Sequence, residues 1–365
     1  MANREAKIGG RPVGRGHRPM IVAELSANHN ASLDRALRIV HAAAECGADC
    51  IKLQTFRPES LTIDSCRPEF FIDDPGGLWH GRRLWDLYRE AHTPWEWHQP
   101  IFEAARAVGL ACISTACDLG SLEFLVSLGV DAIKIASFEL IHLPLIEAAA
   151  KSGRPVLLST GMASLEELNE AVATLRANRC NEFTLLKCTS AYPSTEAEAN
   201  ILTIPDMRER YGCDIGLSDH TLRPYTAFAA TAQGAVIIEK HFTLARRDGG
   251  LDSAFSLEPA ELRELVDGTD AVWRSLGDVS YGPLAAERAS IKERPSIYAI
   301  EPVKKGEVFT DRNIRIIRPA NGLAPKHYRA LVGRTCACDI AAGAPLSWEF
   351  VEGGAPAAAK PARES

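Results

Sequence analysis

No stretch of this 365-residue sequence approaches the ~20 consecutive apolar residues that a membrane-spanning helix needs, so no transmembrane helix is expected. No secretory leader is expected either, because Met1 to Arg18 is basic and has no apolar core. There is no surplus of positive charge either. With 41 Lys and Arg against 47 Asp and Glu, the net charge of −6 argues against a nucleic-acid partner. No C-x-x-C pair occurs, and cysteines such as Cys50, Cys112 and Cys188 sit inside apolar runs, so reduced thiols in a cytoplasmic protein are expected. Finally, no glycine-rich dinucleotide fingerprint follows the first strand, which counts against a doubly wound nucleotide-binding sheet. What is present is ordinary in bulk: 46% hydrophobic and 24% charged residues, enough for a large barrel plus a small appendage.

The order of apolar runs and turns predicts alternating strands and helices. Met20–Glu24 reads as a strand, and Leu33–Cys46 as a helix capped by Ser32 and closed by Gly47. Cys50–Leu53 is the next strand, with Lys52 and Gln54 at its end. A long insertion, Arg57–Thr93, carries Trp79, Trp85 and Tyr88, and a helix then starts at Pro94 and runs to about Val108. Strands follow at Leu110–Ser114, Ala132–Ile135, Pro155–Leu158, Phe183–Leu186, Ile215–Leu217 and Val236–Ile238. Helices lie between them at Ser121–Leu128, Leu143–Lys151, Leu165–Ala177 and Pro224–Gln233, with a last one at Pro259–Leu276. Eight such units predict an α/β fold, a (β/α)8 TIM barrel. The predicted organisation is a flexible arm at 1–18, the barrel at 19–276, a linker at 277–295, a small β-rich domain at 296–352 and a disordered tail at 353–365.

In such a barrel, chemistry gathers where the strands end. His220 and His241 each stand just past an apolar run, on two parallel strands joined by a helix, so both project from neighbouring strand ends. Two converging imidazoles suit a divalent metal with open coordination positions; the alternative is a pair of histidines bonded within a packed core. Lys52, Lys134 and Lys240 stand at or near strand ends, with Ser137, Ser159, Thr160, Gly161, Ser190 and Ser218 supplying hydroxyl and backbone donors. Together they would line a cavity suited to a phosphate and a carboxylate, the alternative for each lysine being a solvated charge. Glu24 and Glu139 are the acidic members, fit to steady positive charge or handle a proton, or in the case of Glu139 to cap a helix or form an ion pair. Asp248, Asp252 and Ser253 lie in a glycine-rich loop after the last strand, readable equally as a surface turn. The tryptophans, Trp79 among them, are assigned to packing.

These residues occur in runs that resemble a known family. Glu24 to Asn30, Lys52 to Thr55, Lys134 to Ser137, Ser159 to Met162, Cys188 to Pro193, Gly216 to Thr221 and Glu239 to Thr243 are similar to the sialic acid synthase family. Ile317 to Leu323 resembles the antifreeze-like (SAF) domain of those enzymes, so the likeness spans about residues 20–350. Within the family, Asp248 to Ser256, Trp85 to Tyr88 and Thr93 to His98 look like the pseudaminate-forming branch. Four positions depart from the family pattern: Ala31, Leu251 and the pair Ala116-Cys117, of which Cys117 bears on the shape of the sugar pocket.

The resemblance implies a transferase that condenses phosphoenolpyruvate with an acetamido-hexose and water, giving a nine-carbon 2-keto acid and phosphate. It implies His220 and His241 as ligands of manganese, magnesium or cobalt, and Glu24, Lys52, Lys134 and Glu139 as catalytic groups. Ser137, Thr160, Gly161, Ser190 and Ser218 would grip phosphoenolpyruvate, with Gln54, Tyr192 and Asp252 on the sugar side. Arg318 would come from the SAF domain in a domain-swapped homodimer; no nucleic-acid or membrane partner is implied. Three alternatives stand. One is a neuraminate or legionaminate synthase, and another is a catalytically idle sugar-binding homologue that kept the fold. The third is a Schiff-base aldolase using Lys134 or Lys187.

Overall fold

The computed structural model describes residues 6–356. The chain divides after Gly277 into two compact units. In the first, a hairpin of β1 (Ala6–Ile8) and β2 (Arg11–Val13) precedes eight parallel strands. These are β3 (Met20–Glu24), β4 (Cys50–Thr55), β5 (Ala111–Ala116), β6 (Ile133–Ile135), β7 (Val156–Ser159), β8 (Phe183–Cys188), β9 (Asp214–Asp219) and β10 (Ile237–His241). Each pairs with the next, and β10 returns to β3 with His241 opposite Glu24, so the sheet closes into a barrel.

Strand alternation decides which side chains reach the interior. Met20, Val22, Cys50, Ile113, Leu157, Leu186 and Ile237 form the inner apolar layer, whereas Ile21, Ile51, Cys112, Leu158, Leu185 and Ile238 pack outward against the helices. Continuing the inner parity one step brings Glu24, Lys52, Lys134, Ser159, Cys188, Ser218 and Glu239 to the mouth. Gly216 belongs to the inner set, and only hydrogen fits there: a Cβ would stand 2.6 Å from Leu186 Cδ2 and 2.8 Å from Ile237 O. The same parity turns Lys240 outward. Expected among the mouth lysines, it instead bonds Asp219 Oδ2 at 2.8 Å on the outer face of β9 and β10, 1% exposed.

Two further segments differ from expectation. Residues 6–13, read as part of a loose arm, form the hairpin, and Ile8 and Val13 join the inner layer as a floor to the barrel. Asp49 fastens it by pairing with Arg11 and with Arg18 (2.7 Å), while Asp49 Oδ2 also accepts from Ile21 N at 2.8 Å. The apolar spacing of Ile8 and Val13 was too short to register as a strand pair. A helix at Thr203–Tyr211, absent from the sequence reading, buries Ile204, Met207 and Tyr211 despite its Pro205. Elsewhere the helix Leu165–Ala177 has the expected capping box of Ser164 and Glu167.

The second unit holds a 3-10 helix at Ala285–Glu293, inside the stretch read as a linker, then the antiparallel pair β11 (Ser296–Ala299) and β12 (Ile314–Ile317). Its own core is built on Ile297, Val303, Phe309, Ile314, Leu331 and Leu346. Of the expected tail, Gly354 O accepts from Arg334 Nη2 at 3.0 Å, and residues 357–365, like 1–5, lie outside the described part. Among the described residues no helix is long and apolar enough to cross a membrane.

Candidate active site

The barrel mouth is built around a carboxylate that the sequence reading passed over. Glu239, on the inner face of β10, receives Lys52 Nζ at 3.2 Å, Lys134 Nζ at 3.2 Å and the Ser218 hydroxyl at 3.1 Å on one oxygen, Oε1. Burial alone would raise its pKa, but Lys134 and Lys52 together hold it down to about 2. Lys52 also lies 2.8 Å from Glu24 Oε2 and donates to Thr115 Oγ1 at 3.2 Å. Glu24 is fully buried, its Oε1 has no hydrogen-bond partner, and burial pushes its pKa up to about 7 against the pull of Lys52. Two buried ammonium groups sharing one fully ionised carboxylate retain unspent capacity for an incoming anion. The signal for Glu239 was available: it is the acid between two apolar residues and Lys240, one step inward of it in strand parity.

Beside the lysines the strand ends supply neutral donors. Ser137 Oγ accepts from Gly161 N at 3.0 Å, and the Ser190 hydroxyl stands 3.6 Å from Cys188 Sγ. A Cβ on Gly161 would overlap the Ser190 hydroxyl and come within 2.8 Å of Ser137 Oγ, so glycine is required for the three to share one concavity. Ser159 faces the same interior, while Thr160 turns its hydroxyl to Leu186 O at 3.2 Å. Gln54 is half-buried at the inward end of β4.

His220 and His241 do converge, their ring centroids 5.4 Å apart. His220 Nδ1 donates to Thr189 O at 2.8 Å, which fixes the tautomer with the lone pair on Nε2, and the ring also hydrogen-bonds the Cys188 thiol. His241 is held neutral by burial, and its Nδ1 has no hydrogen-bond partner. The orphan nitrogen of His241 fits a divalent cation, whereas His220 is bonded within the core to Thr189 O and to the Cys188 thiol. Asp252 Oδ2 stands 3.9 Å from His241 Nδ1 and is gripped by the Ser26 hydroxyl. Asp252 and Ser253 are buried, unlike residues of a surface turn, whereas Asp248 is an outlying partner of Arg35 at 2.8 Å. Among the described residues no three histidine, cysteine or acidic side chains form a preassembled metal cluster.

An aromatic wall encloses the histidines. Tyr192 packs on His220 (4.5 Å) and Phe255 on His241 (4.8 Å). Trp79, assigned to packing, stands at the edge of this wall, 5.6 Å from Tyr192, and its Nε1 donates to Leu251 O at 3.2 Å. The insertion and the loop after β10 are thereby joined over the mouth. Phe255 and Cys188 were not singled out from sequence; burial would raise the Cys188 thiol, but His220 brings it down to about 6. Lys187 points outward, away from the mouth, which removes it as an imine-forming candidate. Arg318 is exposed in the second unit, immediately after β12.

Glu139 sits beyond β6 with Oε2 buried and unpartnered, and burial raises its carboxyl to about 7 despite Lys134 and Lys52. The folded protein therefore keeps a proton there, between about pH 4.5 and 7, that the unfolded chain has lost, and stability falls as pH rises through that window. Glu139→Gln removes the effect. Its stability advantage over the parent, read from urea unfolding of the substrate-free protein, should grow by about 2 kcal/mol between pH 5 and 8. An advantage independent of pH would show that this carboxyl titrates normally.

The comparisons with known proteins agree with this geometry. The NeuB family model matches residues 39–281 and the SAF domain model residues 294–352. A pseudaminic acid synthase from Helicobacter pylori is 40% identical over 336 residues, covering 92% of this chain and 98% of that protein. A pseudaminic acid synthase from Campylobacter jejuni is 40% identical over 326 residues, covering 88% and 94%. The crystal structure of an N-acetylneuraminic acid synthetase from Leptospira borgpetersenii in complex with citrate superposes with a TM-score of 0.70 at 32% identity, over 80% of this chain and 96% of that one.

Proposed function

Because this chain belongs to the NeuB family, we propose that it catalyses the pseudaminic acid synthase reaction. Phosphoenolpyruvate, 2,4-diacetamido-2,4,6-trideoxy-L-altrose and water give pseudaminic acid and phosphate. The observation that carries this is the 40% identity to two pseudaminic acid synthases over nearly their whole lengths. In the mouth, Lys52 and Lys134 form the cationic floor for phosphate and carboxylate, with Ser137, Gly161, Ser190 and Ser218 as neutral donors and Thr160 beside them. Phosphoenolpyruvate held there would present its C3 to the sugar aldehyde. The C3 electron pair forms the new bond to the aldehyde carbon as the carbonyl π pair moves onto its oxygen, the resulting alkoxide takes up a proton matching the one that water later releases, and C2 becomes cationic. Water held by Glu24 adds to C2 and gives up its proton to that carboxylate, whose pKa of about 7 suits the task. The resulting tetrahedral centre expels phosphate by C–O cleavage. A divalent metal at His220 and His241 would supply Lewis-acid polarisation of the sugar aldehyde. Gln54, Tyr192, Asp252 and Glu139 border the space left for the sugar.

The finer reading is a cytoplasmic, domain-swapped homodimer using manganese, magnesium or cobalt, in which Arg318 of one SAF domain reaches the sugar's acetamido group. Arg318→Ala should then raise KM for the sugar by at least ~10-fold while leaving KM for phosphoenolpyruvate nearly unchanged. Equal losses for both substrates would remove this role. The reaction itself is tested by phosphate release with manganese, comparing the altrose compound with N-acetylmannosamine. Turnover on the altrose compound alone is expected. Turnover on N-acetylmannosamine alone would keep the chemistry and reassign the sugar, and silence with both, extended to the legionaminate precursor, would favour the idle homologue.

A further inference from the structure

A cleft of about 480 Å³ opens on the outside of the barrel wall, between the helix Leu165–Ala177 and the helix Thr203–Tyr211. Lys187 is among its lining residues. Strand parity places this residue on the outer face of β8 behind Phe183 and Leu185, which both belong to the apolar layer under the helices. A lysine therefore stands where the pattern asks for an aliphatic side chain, and it is only 9% exposed. Its Nζ donates to Thr189 Oγ1 at 2.9 Å and Cys188 O at 3.2 Å, both neutral, and among the described residues no carboxylate forms an ion pair with it. The one acid lining the cleft, Asp206, is turned to Arg210 on its own helix at 3.6 Å. Met162, Leu165, Leu168 and Met207 give the walls their apolar part, and Ser164, Asn200, Thr203 and Arg210 a polar one. A buried ammonium with no carboxylate partner is costly, and a cleft of mixed polar and apolar lining that holds Lys187 and Arg210 is complementary to an amphiphilic anion.

We propose that this cleft binds a small organic carboxylate with a partly apolar body, whose carboxylate pairs with Lys187. The cleft borders the barrel mouth and shares Thr160 and Cys188 with it. Thr189 contacts Lys187 through its hydroxyl and accepts from His220 Nδ1 through its carbonyl at 2.8 Å, and Cys188 presents its side chain to the mouth from the same strand. An anion that draws Lys187 away from Thr189 changes the support of His220, so occupancy of the cleft regulates the mouth. An acid sugar of the kind released by the proposed reaction has the required carboxylate, methyl and acetamido groups, which makes product feedback the use of the site. That choice of ligand rests on the proposed function; the cleft and its cation do not.

The test is calorimetric binding of pseudaminic acid to the full-length protein at saturating phosphoenolpyruvate, which fills the mouth. One binding event per chain is expected, weakened at least ~10-fold by Lys187→Met and by Ala163→Trp, which fills the cleft without touching its cation, and retained by Lys187→Arg. Inorganic phosphate, titrated in parallel, should bind at least ~10-fold more weakly. Binding that phosphoenolpyruvate displaces and Lys187→Met leaves intact would overturn the proposal, as would no binding, or phosphate binding as tightly as the acid sugar. Calorimetry needs no turnover, so an inactive protein would still report on the cleft, and an active one with an empty cleft would leave the proposed reaction standing.

Discussion

Replacing His220 by alanine is expected to abolish metal-dependent turnover, a loss on the order of 10³-fold or more. The size of the effect follows from how the imidazole is held. Its Nδ1 is committed to Thr189 O at 2.8 Å, so Nε2 is already aimed, and no rotamer search is needed on binding. His241, buried and neutral, cannot replace it, because a single imidazole leaves the metal only substrate and water as partners. Direct metal titration should lose affinity in parallel with activity. Tyr192 and Phe255 pack on the same pair of rings, so His220→Gln, which keeps more of the volume, separates the loss of a ligand from the loss of packing. Full activity of His220→Ala after chelator treatment would remove the metal from the mechanism.

What made this site legible was the abrupt end of each apolar run. Hydrophobic residues define the inner and outer layers, and the first polar residue past them marks the mouth, which is how Glu24, Lys52, Lys134, Ser218 and both histidines were found. The same feature explains the strand ends. Sequence pattern closed β8 at Leu186 and β9 at Leu217, whereas pairing continues to Cys188 and Asp219, because backbone hydrogen bonds do not depend on side-chain polarity. Parity was the neglected signal. Applied to Val236 to His241, it separates Glu239 and His241, which face in, from Lys240, which faces out. Other features depend on contacts between distant segments. The hairpin at 6–13 is a strand pair only because the barrel floor accepts Ile8 and Val13, and Trp79 meets Tyr192 only because the insertion folds back over the mouth.

The second large effect concerns Lys134, and it follows from counting charges in a space closed to water. Lys52 and Lys134 face Glu239, which is fully ionised, and Glu24, whose carboxyl is close to half protonated near neutral pH. With both lysines the mouth is close to neutral or slightly positive, ready for an anion. With Lys134→Met, Lys52 must serve Glu239 and Glu24 alone, and the mouth turns negative. Phosphoenolpyruvate then meets repulsion where it had a charge-assisted hydrogen bond. Losing one buried charge partner costs about 3–5 kcal/mol, so kcat/KM for phosphoenolpyruvate should fall by roughly 10²- to 10⁴-fold. The loss should show chiefly in KM for phosphoenolpyruvate, with KM for the sugar little changed, since Gln54, Tyr192 and Asp252 are untouched. Lys134→Arg is a stringent control: it keeps the charge, but its planar fork cannot occupy the point position 3.2 Å from Glu239 Oε1 without displacing Ser218. It should therefore recover only part of the loss. If Lys134→Met left KM for phosphoenolpyruvate unchanged, the two lysines would be a structural clamp on Glu239, and the anion would have to bind elsewhere in the mouth.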